Sequence, residues 1–214
     1  MTIDTAFWRH RWETNDIGFH EKEPNPSLTK HFEKLGVKAN SRIFLPLCGK
    51  TVDIAWFLSE GHHIIGVELI ELAITQLFDD LRIKPKISRY GKFKHYQAQN
   101  IDIFVGDIFH LNSEMLKKID AVYDRAALVA LPEETRNRYT AHLTTITDHA
   151  PQLLLTFEYD QNLMEGPPFS VSNEEVARHY NKSYNLTLLA TQNFPGGLKG
   201  KLPAKENVWL VRKK

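Results

Sequence analysis

The stretch that decides the fold reads Arg42-Ile43-Phe44-Leu45-Pro46-Leu47-Cys48-Gly49-Lys50-Thr51 and continues to Gly66-Val67-Glu68. Its first apolar run predicts a buried strand that ends at Gly49, and a helix is predicted over Val52–Glu60. A second apolar run ends on the carboxylate of Glu68. Gly49 and Glu68 are 19 residues apart (68 − 49), close to the spacing of about 20 between a nucleotide-binding turn and a ribose-binding acid. The stretch therefore predicts a βαβ unit whose parallel strands open into one crevice, where Glu68 can accept hydrogen bonds from two ribose hydroxyls.

Two rival interpretations of the turn at Gly49 fit the sequence less well. A phosphate-binding loop requires Gly five positions before its Gly-Lys, but position 44 is Phe. A dinucleotide-binding turn favours three glycines, because its backbone must approach a pyrophosphate closely, and this turn contains one. A ligand with a ribose and an adenine but no phosphate fits better, and S-adenosylmethionine is such a ligand. An ordinary βαβ pair of the core, with no ligand, stays open on this stretch alone.

Length and composition set the broad class. The 214 residues, 42% of them hydrophobic, are enough for one compact α/β domain over residues 1–214. The formal net charge of +1 gives no electrostatic reason for a nucleic-acid partner. The single cysteine, Cys48, excludes an internal disulfide and is predicted to be a packed core residue. No apolar run approaches membrane length and the N-terminus lacks a signal-peptide core, so we expect a cytoplasmic protein with no membrane partner. We also expect a monomer without a metal site.

Aromatic residues are concentrated ahead of the first predicted strand. Trp8 and Trp12 stand four residues apart, on one face of the segment if it is helical. We predict that residues 1–36 form an arm that packs as a lid over the crevice. A helix packed on the outside of the sheet is the alternative, and the aromatic pattern alone leaves both open.

Further polar groups are predicted at the same rim of the sheet. Asp107 follows the predicted strand Ile101–Val105, and Asp124-Arg125 ends the next predicted strand. The carboxyl ends of parallel strands meet at one edge, where open α/β sheets bind their ligands. There Asp107 can accept a hydrogen bond from an adenine amino group while Ile108 packs on the ring. A turn-capping Asp and an Arg in a surface salt bridge remain as alternatives.

The rest of the chain predicts helices that cover the sheet. The predicted helices are Ser27–Leu35, Glu71–Leu81, one that starts at Pro132, and Asn173–Tyr180, and the remaining predicted strands are His95–Ala98, Gln152–Tyr159, Leu186–Thr191 and Val208–Val211. The segment before His95 is expected to be irregular. A stiff loop, Gly166-Pro167-Pro168-Phe169, is expected over the mouth of the crevice.

Several of these motifs together carry a resemblance to a known family. They are Phe7-Trp8 with Trp12, Gly18-Phe19-His20, Leu45-Pro46-Leu47-Cys48-Gly49-Lys50, Gly66-Val67-Glu68, Asp124-Arg125-Ala126-Ala127-Leu128-Val129-Ala130 and Gly166-Pro167-Pro168-Phe169. In this order, and over nearly the whole chain, they closely resemble the shorter bacterial form of the thiopurine S-methyltransferase family. The resemblance implies a Rossmann-like, seven-stranded methyltransferase sheet, mostly parallel with one antiparallel edge strand and helices on both faces. It also implies an S-adenosylmethionine-dependent enzyme that methylates the sulfur of a small aromatic or heterocyclic thiol.

The resemblance also implies roles for individual residues. It places Trp8 and Trp12 over the cofactor, Leu47 beside its methionine end, Glu68 on the ribose, Asp107 and Ile108 at the adenine, Arg125 near cofactor and acceptor as the catalytic residue, and Phe19 and Phe169 on the acceptor side. Two positions depart from the family pattern. The family often has Gly where Ala126 stands, and the longer animal members have an Arg in the loop before the last strand. Here that loop offers only Lys199 and Lys201, so a second cationic contact to the acceptor is not expected.

The chemistry of methyl transfer to a thiol agrees with so few polar residues. Such a site must align two sulfurs and exclude water, and a heterocyclic thiol is acidic enough to need no strong base. Arg125 can favour the thiolate or hold a water that accepts the proton. Methylation of inorganic selenium or tellurium species by the same cofactor is one alternative. A protein that binds adenosyl ligands without turnover is another.

Overall fold

The computed structural model of the chain describes residues 4–18, 20–194, 196–200 and 202–214. Its α-helices are α1 (Thr5–Glu13), α2 (Pro26–His31), α3 (Asp53–Ser59), α4 (Glu71–Leu81), α5 (Ser113–Leu116), α6 (Glu133–Ile146) and α7 (Asn173–Tyr180). Its strands are β1 (Arg42–Pro46), β2 (His63–Glu68), β3 (Lys86–Tyr90), β4 (Phe93–Ala98), β5 (Ile101–Val105), β6 (Ala121–Asp124), β7 (Gln152–Glu158), β8 (Tyr184–Asn193) and β9 (Lys205–Lys213). Short 3-10 helices lie at Phe32–Leu35, Ile108–His110, Leu128–Ala130 and Gln161–Leu163.

The strands form one sheet in the order β3-β4-β5-β2-β1-β6-β7-β9-β8. Strand β1 pairs in parallel with β2 and with β6, β2 pairs in parallel with β5, and β6 pairs in parallel with β7. The carboxyl ends of β5, β2, β1 and β6 therefore lie side by side at one edge of the sheet. This is the arrangement that the βαβ spacing predicted for the ligand site.

Side chains alternate between the two faces of the sheet, and each face is covered by helices. On β1, Phe44 joins a core cluster with Tyr139 and Leu143 of α6. Its neighbours Ile43 and Leu45 point the other way, into a cluster with helices α3 and α4. Because both faces of β1 are buried, its sequence reads as a continuous apolar run. The predicted α/β class with helices on both faces is confirmed.

The sheet has nine strands among the described residues, two more than predicted. The two strands beyond the seven that the resemblance implied are β3 and β4, which extend the sheet beyond β5 through antiparallel pairing. Of these, β4 was predicted at His95–Ala98, and β3 was not. Strand β3 falls in the segment expected to be irregular. It is the outermost strand and mostly exposed, so its sequence, Lys86-Ile87-Ser88-Arg89-Tyr90, lacks the apolar alternation of a half-buried strand. Charged residues on an edge strand also disfavour pairing with another chain.

The other end of the sheet contains the antiparallel strand expected near its edge. Strand β9 pairs antiparallel with both β7 and β8, so it is inserted one position in from the edge. Without the β3–β4 hairpin, the remaining seven strands form a mostly parallel sheet with β9 as its antiparallel member. No described helix is long and apolar enough to cross a membrane.

Candidate active site

The turn after β1 is shaped by two residues in the left-handed conformation. Leu47 has φ 46° and Gly49 has φ 52°. A branched non-glycine residue in this region costs about 1–2 kcal/mol, and such strain is concentrated at functional sites. A Cβ atom added at Gly49 would lie 3.1 Å from the indole ring of Trp12. Glycine therefore allows Trp12 to lie directly against the turn.

Glu68, at the end of β2, connects this turn to the turn after β2. Its Oε2 accepts a hydrogen bond from the Gly49 amide at 2.9 Å, and its Oε1 accepts one from the Ile70 amide at 2.8 Å. Burial raises the pKa of Glu68, while the backbone hydrogen bonds from Ile70 and Gly49 oppose that shift. Each carboxylate oxygen can accept more than one hydrogen bond. Glu68 therefore fixes both turns and retains acceptor capacity for ligand hydroxyls.

Helix α1 lies across the ends of β1 and β2. Asp4 caps the helix, because its carboxylate accepts hydrogen bonds from the amides of Ala6 and Phe7, each at 3.0 Å. Trp12 is only 4% exposed and packs in a cluster with Ile17, Ile70 and Ala73, against which Trp8 also lies. The N-terminal arm is thus placed over the strand ends, and its role as a lid stays a prediction.

Arg125 follows β6 directly and is largely buried. Its Nη2 lies 2.5 Å from Oε1 of Glu21, and 11% of its side chain is exposed. Although burial alone would lower the pKa of Arg125, the neighbouring Tyr123, Glu21 and Asp53 raise it. A permanent positive charge therefore lies at the rim of the sheet, held by a carboxylate of the N-terminal arm.

Asp124, the residue before it, points into the core instead. It is fully buried, and its carboxylate accepts hydrogen bonds from the Leu128 amide at 3.0 Å and from the Tyr139 hydroxyl at 2.7 Å. Burial raises the pKa of Asp124 to about 6, although these hydrogen bonds oppose the shift. Of the predicted pair Asp124-Arg125, only the arginine faces the ligand side.

Two neighbouring pockets open at this edge of the sheet. The first, called here the strand-end pocket, is lined by Trp8, Trp12, His20, Leu47, Cys48, Gly49, Lys50, Thr51, Glu68, Leu69, Arg125, Ala126 and Ala130. The second, called here the loop pocket, is lined by Trp8, Arg11, Asp16, Gly18, Glu21, Arg125, Ala126, Val129, Ala130, Phe157, Pro167, Pro168, Phe194, Leu198 and Lys199. The two pockets share Trp8, Arg125, Ala126 and Ala130. Arg125 is therefore positioned where a ligand in one pocket would meet a ligand in the other.

The structure brings five of the predicted site residues together in the strand-end pocket. They are Trp8, Trp12, Leu47, Glu68 and Arg125. Three of them follow strands that are neighbours in the sheet. Their assembly follows from the parallel pairing of β2, β1 and β6.

Asp107 and Ile108 lie nearby but do not line either pocket. Asp107 caps a 3-10 helix by accepting a hydrogen bond from the Phe109 amide at 2.9 Å, and Ile108 is fully buried in the core. They remain close to Glu68, since the Gly106 amide donates to the Glu68 carbonyl at 2.8 Å. Their assignment to the adenine stays a prediction.

The two residues predicted on the acceptor side differ in what the structure describes. Phe19 lies outside the described residues. Phe169 is not among the residues that line the loop pocket, although Pro167 and Pro168, which precede it in the chain, are. Its amide donates to the Val129 carbonyl at 2.6 Å, and the guanidinium of Arg136 lies 5.8 Å from its ring centroid. Phe169 is therefore held next to Val129, a residue of the loop pocket, and its own contact with the acceptor stays a prediction.

The structure adds polar residues that the sequence analysis gave no role. His20 and Lys50 line the strand-end pocket, and Lys50 lies 3.3 Å from Asp80. Arg11 and Lys199 line the loop pocket, so cations besides Arg125 do face that space. The only sequence signal for His20 was its place in the Gly18-Phe19-His20 motif.

The backbone conformation of Ala126 shows why the resemblance leads one to expect glycine at this position. Its φ is 60°, a conformation that glycine adopts without cost and alanine does not. A glycine at this position in other members fits that backbone geometry. The chain tolerates alanine here at the cost of local strain.

Comparisons with known proteins agree with the geometry. The chain matches the thiopurine S-methyltransferase family over residues 3–213. It is 50% identical over 212 residues to the thiopurine S-methyltransferase of Xanthobacter autotrophicus, covering 99% of this chain and 100% of that one. The chain belongs to the thiopurine S-methyltransferase family. A thiopurine S-methyltransferase of Teredinibacter turnerae is also 50% identical, over 209 residues that cover 98% of this chain and 97% of that one.

Solved structures of other methyltransferases share the fold. The 1,6-didemethyltoxoflavin-N1-methyltransferase of Burkholderia thailandensis, solved with S-adenosylhomocysteine, has a TM-score of 0.65 at 16% identity over 98% of this chain and 87% of that one. Together with family membership, this confirms the predicted methyltransferase fold. The predictions of a methyltransferase enzyme and of S-adenosylmethionine as its cofactor are likewise confirmed by the family.

The strand-end pocket fits that cofactor. Glu68 has acceptor capacity for ribose hydroxyls, and Trp12 presents a flat apolar surface against Gly49. In addition, Nδ1 of His20 is buried without a hydrogen-bond partner among the described residues. Among those residues there is also no cluster of three or more His, Cys, Asp and Glu side chains that would hold a metal ion.

Proposed function

We propose that the protein methylates the sulfur of small aromatic or heterocyclic thiols, thiopurines among them. The observation that carries this proposal is the pair of adjoining pockets that share Arg125. One pocket has the polar groups that suit an adenosyl ligand. The other has apolar walls that suit a planar ring. Membership in the thiopurine S-methyltransferase family supports the choice of sulfur as the acceptor atom.

The strand-end pocket would hold the cofactor. Glu68 would bind the ribose, Leu47 would lie beside the methionine end, and Trp8 and Trp12 would cover the ligand from the arm. Asp107 and Ile108 would reach the adenine beyond Glu68. When bound, S-adenosylmethionine supplies an electrophilic methyl group on a sulfonium centre.

The loop pocket would hold the acceptor. Its aromatic and proline residues, Phe157, Phe194, Pro167 and Pro168, come from loops and strand ends on the side away from Glu68. Such side chains bury a planar ring without requiring specific hydrogen bonds. Phe19 and Phe169 are proposed to complete this wall.

The residues of the chain align the two ligands, exclude water from the reacting atoms and supply the positive charge of Arg125. The two pockets set the acceptor sulfur against the bound cofactor, which converts a bimolecular encounter into a reaction within one complex. The arm excludes water from the shared region. Arg125 stabilises the negative charge of the acceptor thiolate, because a fixed cation in a partly buried site acts more strongly than in water. No dedicated strong base is needed for thiols that are already acidic.

A panel assay tests this function. Methyl transfer to heterocyclic thiols, aryl thiols, phenols and reduced selenium species should be followed together with equilibrium binding of S-adenosylhomocysteine. We expect turnover with the aromatic thiols and little with the phenols. Turnover confined to selenium or tellurium species would replace the proposed acceptor. Binding without turnover on any acceptor would identify an adenosyl-binding protein and contradict the proposal.

The arm is proposed to act as a lid when the cofactor binds. S-adenosylhomocysteine should slow hydrogen exchange across residues 7–20 and change tryptophan fluorescence, because Trp8 and Trp12 line the pocket. Equal exchange with and without the ligand would show that the arm is only a packed helix. We also expect a cytoplasmic monomer that acts on a small molecule, and these expectations stay predictions.

A further inference from the structure

His20 lies at a defined end of the strand-end pocket. Glu68 ends β2, whereas Leu47 and Arg125 follow β1 and β6, the next strands of the sheet. A ligand whose ribose is bound by Glu68, as the proposed function requires, would therefore extend its other end over β1 and β6. His20 lines the same pocket as Leu47, Lys50 and Arg125, the residues of that end.

One ring nitrogen of His20 has an unmet hydrogen-bonding capacity. Nδ1 is buried, and within the part of the chain that the structure describes it has no hydrogen-bond partner. A buried polar atom without a partner destabilises the folded protein, because it has lost its hydrogen bonds to water. Because such atoms are rare in folded proteins, an orphaned nitrogen beside a ligand pocket indicates that the ligand supplies the partner.

The surroundings of His20 favour a neutral ring. Burial and the nearby Lys50 lower the pKa of His20, while Asp80 opposes the shift and Arg125 adds to it. Both cations are paired within the protein, Lys50 with Asp80 at 3.3 Å and Arg125 with Glu21 at 2.5 Å. A neutral imidazole can accept a hydrogen bond or donate one, according to its tautomer. A neutral His20 is therefore suited to a ligand group that carries one positive and one negative charge.

We propose that His20 binds the amino-acid end of the cofactor, its α-ammonium and α-carboxylate group, through Nδ1. This inference rests on the proposed function, and it divides the cofactor between two residues. Glu68 recognises the ribose at the end of β2. His20 recognises the zwitterionic end over β1 and β6, so that the sulfur between them is held beside Arg125.

The test compares two ligands that differ only at that end. S-adenosylhomocysteine carries the amino-acid group, whereas 5′-methylthioadenosine keeps the adenosine and the thioether sulfur but lacks it. His20→Phe keeps a flat ring without the nitrogen atoms. It should weaken S-adenosylhomocysteine binding roughly 10-fold or more, since hydrogen bonds to charged groups contribute about 1.5–3 kcal/mol. Binding of 5′-methylthioadenosine should change less than about twofold, because the lost contact is absent from that ligand.

Matched variants keep the test independent of folding. His20→Asn places an amide near the position of Nδ1 and should preserve the preference for S-adenosylhomocysteine, whereas His20→Gln places it near Nε2 and should lose that preference. His10→Phe, an exposed histidine of the same helical arm, should leave both affinities unchanged. Since each variant is judged by the ratio of its two affinities, a general loss of stability does not imitate the effect.

The outcomes separate this inference from the proposed function. If the wild-type protein binds and turns over its cofactor, and the His20 variants weaken both ligands equally or neither, His20 does not contact the amino-acid end. If the wild-type protein fails to bind S-adenosylhomocysteine at all, the proposed function itself fails.

Discussion

The two pockets that share Arg125 are built in different ways. In the strand-end pocket, Leu47–Thr51, Glu68 and Arg125 directly follow buried parallel strands. The loop pocket gathers residues from the N-terminal arm, from Phe157 to Pro168, and from Phe194 to Lys199. The sheet fixes the first pocket, whereas packing between distant loops forms the second. A protein built this way can change its acceptor through loop residues and leave the cofactor site intact.

A buried ion pair lies next to the loop pocket, and we expect the shape of the pocket to depend on it. Nε and Nη2 of Arg136 in α6 donate to the two carboxylate oxygens of Glu175 in α7 at 2.5 and 3.0 Å. Nε2 of His179 lies 3.1 Å from Oε1 of Glu175. The same guanidinium lies beside the ring of Phe169. We expect the strand-end pocket to depend less on this pair, because Glu68 is held by the turns after β1 and β2.

The largest effect is expected from breaking this pair. Arg136→Ala should lower the free energy of unfolding by about 3–5 kcal/mol, because it leaves Glu175 buried without its cation. In the protein that remains folded, the KM for the thiol should rise while the affinity for S-adenosylhomocysteine stays near that of the wild type. Urea denaturation, steady-state kinetics and calorimetry measure the three quantities.

A second ion pair between the same helices provides the control. Arg178 and Glu133 are paired at 3.4 Å with side chains 61% and 67% exposed. Arg178→Ala should cost less than about 1 kcal/mol, as exposed pairs do. Equal losses of stability and equal rises in the KM for the thiol in the two variants would contradict the assignment of the Arg136 pair as the support of the loop pocket.

The next effect is expected at Arg125, where the pockets meet. Arg125→Met should raise the barrier for weakly acidic thiols by at most about 2.7–4 kcal/mol, the usual effect of one electrostatic contact. Thiols already ionised at neutral pH should lose less, because they need less help to form the thiolate. The measurement is kcat/KM at saturating cofactor along a series of aryl thiols of graded acidity. Arg138→Met, which removes a cation stacked on Phe109 outside both pockets, is the control. If the ratio of the wild-type kcat/KM to the mutant kcat/KM is constant along the series, Arg125 is a binding residue only.

A smaller effect is expected in the strand-end pocket itself. Glu68→Gln should weaken S-adenosylhomocysteine binding by about 1.5–3 kcal/mol, because it removes a charged acceptor. The variant should also lose stability, since an amide NH₂ group would face a backbone N–H of Gly49 or Ile70. Glu60→Gln, at the exposed end of α3, should change neither quantity. Unchanged affinity in calorimetry would remove Glu68 from the cofactor site.

The smallest effect concerns Ala126, which lines both pockets. Ala126→Gly removes left-handed strain of about 1–2 kcal/mol. It also raises the conformational entropy of the unfolded chain, which lowers the free energy of unfolding by about 0.4–1 kcal/mol. We therefore expect a gain in stability of about 1 kcal/mol or less. Ala55→Gly, at an exposed position inside α3, should instead lose about 1 kcal/mol. Opposite signs in urea denaturation support the strained turn, and a loss at Ala126 would refute it.

The difference between the pockets also explains what the sequence could predict. Glu68 and Arg125 could be placed because each follows an apolar strand, and strand order brings parallel ends together. Helices α4 and α7 were predicted with their observed boundaries, α4 from its apolar periodicity and α7 from the capping residue Ser172 at its start. Strand β3 was missed because an exposed, charged edge strand has no apolar alternation. The roles of Phe157, Phe194 and Lys199 could not be predicted, since they depend on contacts between loops far apart in the chain.

His20 illustrates the same limit inside the better-predicted pocket. Apart from its place in the Gly18-Phe19-His20 motif, His20 had no local signal for a ligand contact. Only the packing of the arm across β1 and β6 brings its ring beside Lys50 and Arg125. Trp8 and Trp12 of the same arm could be predicted because their spacing and their motif are visible in the sequence, whereas the place of His20 depends on how the arm packs.

The central claim is that a cofactor and an acceptor occupy adjoining pockets that meet at Arg125. A crystal structure of the protein with S-adenosylhomocysteine and an aryl thiol tests it directly, because this ligand has no methyl group to transfer. We expect the adenosyl ligand between Glu68 and His20, the aromatic ring among Phe157, Phe194 and Pro167, and the two sulfurs facing each other beside Arg125. An acceptor bound outside the loop pocket, or an adenosyl ligand that does not contact Glu68, would contradict the account.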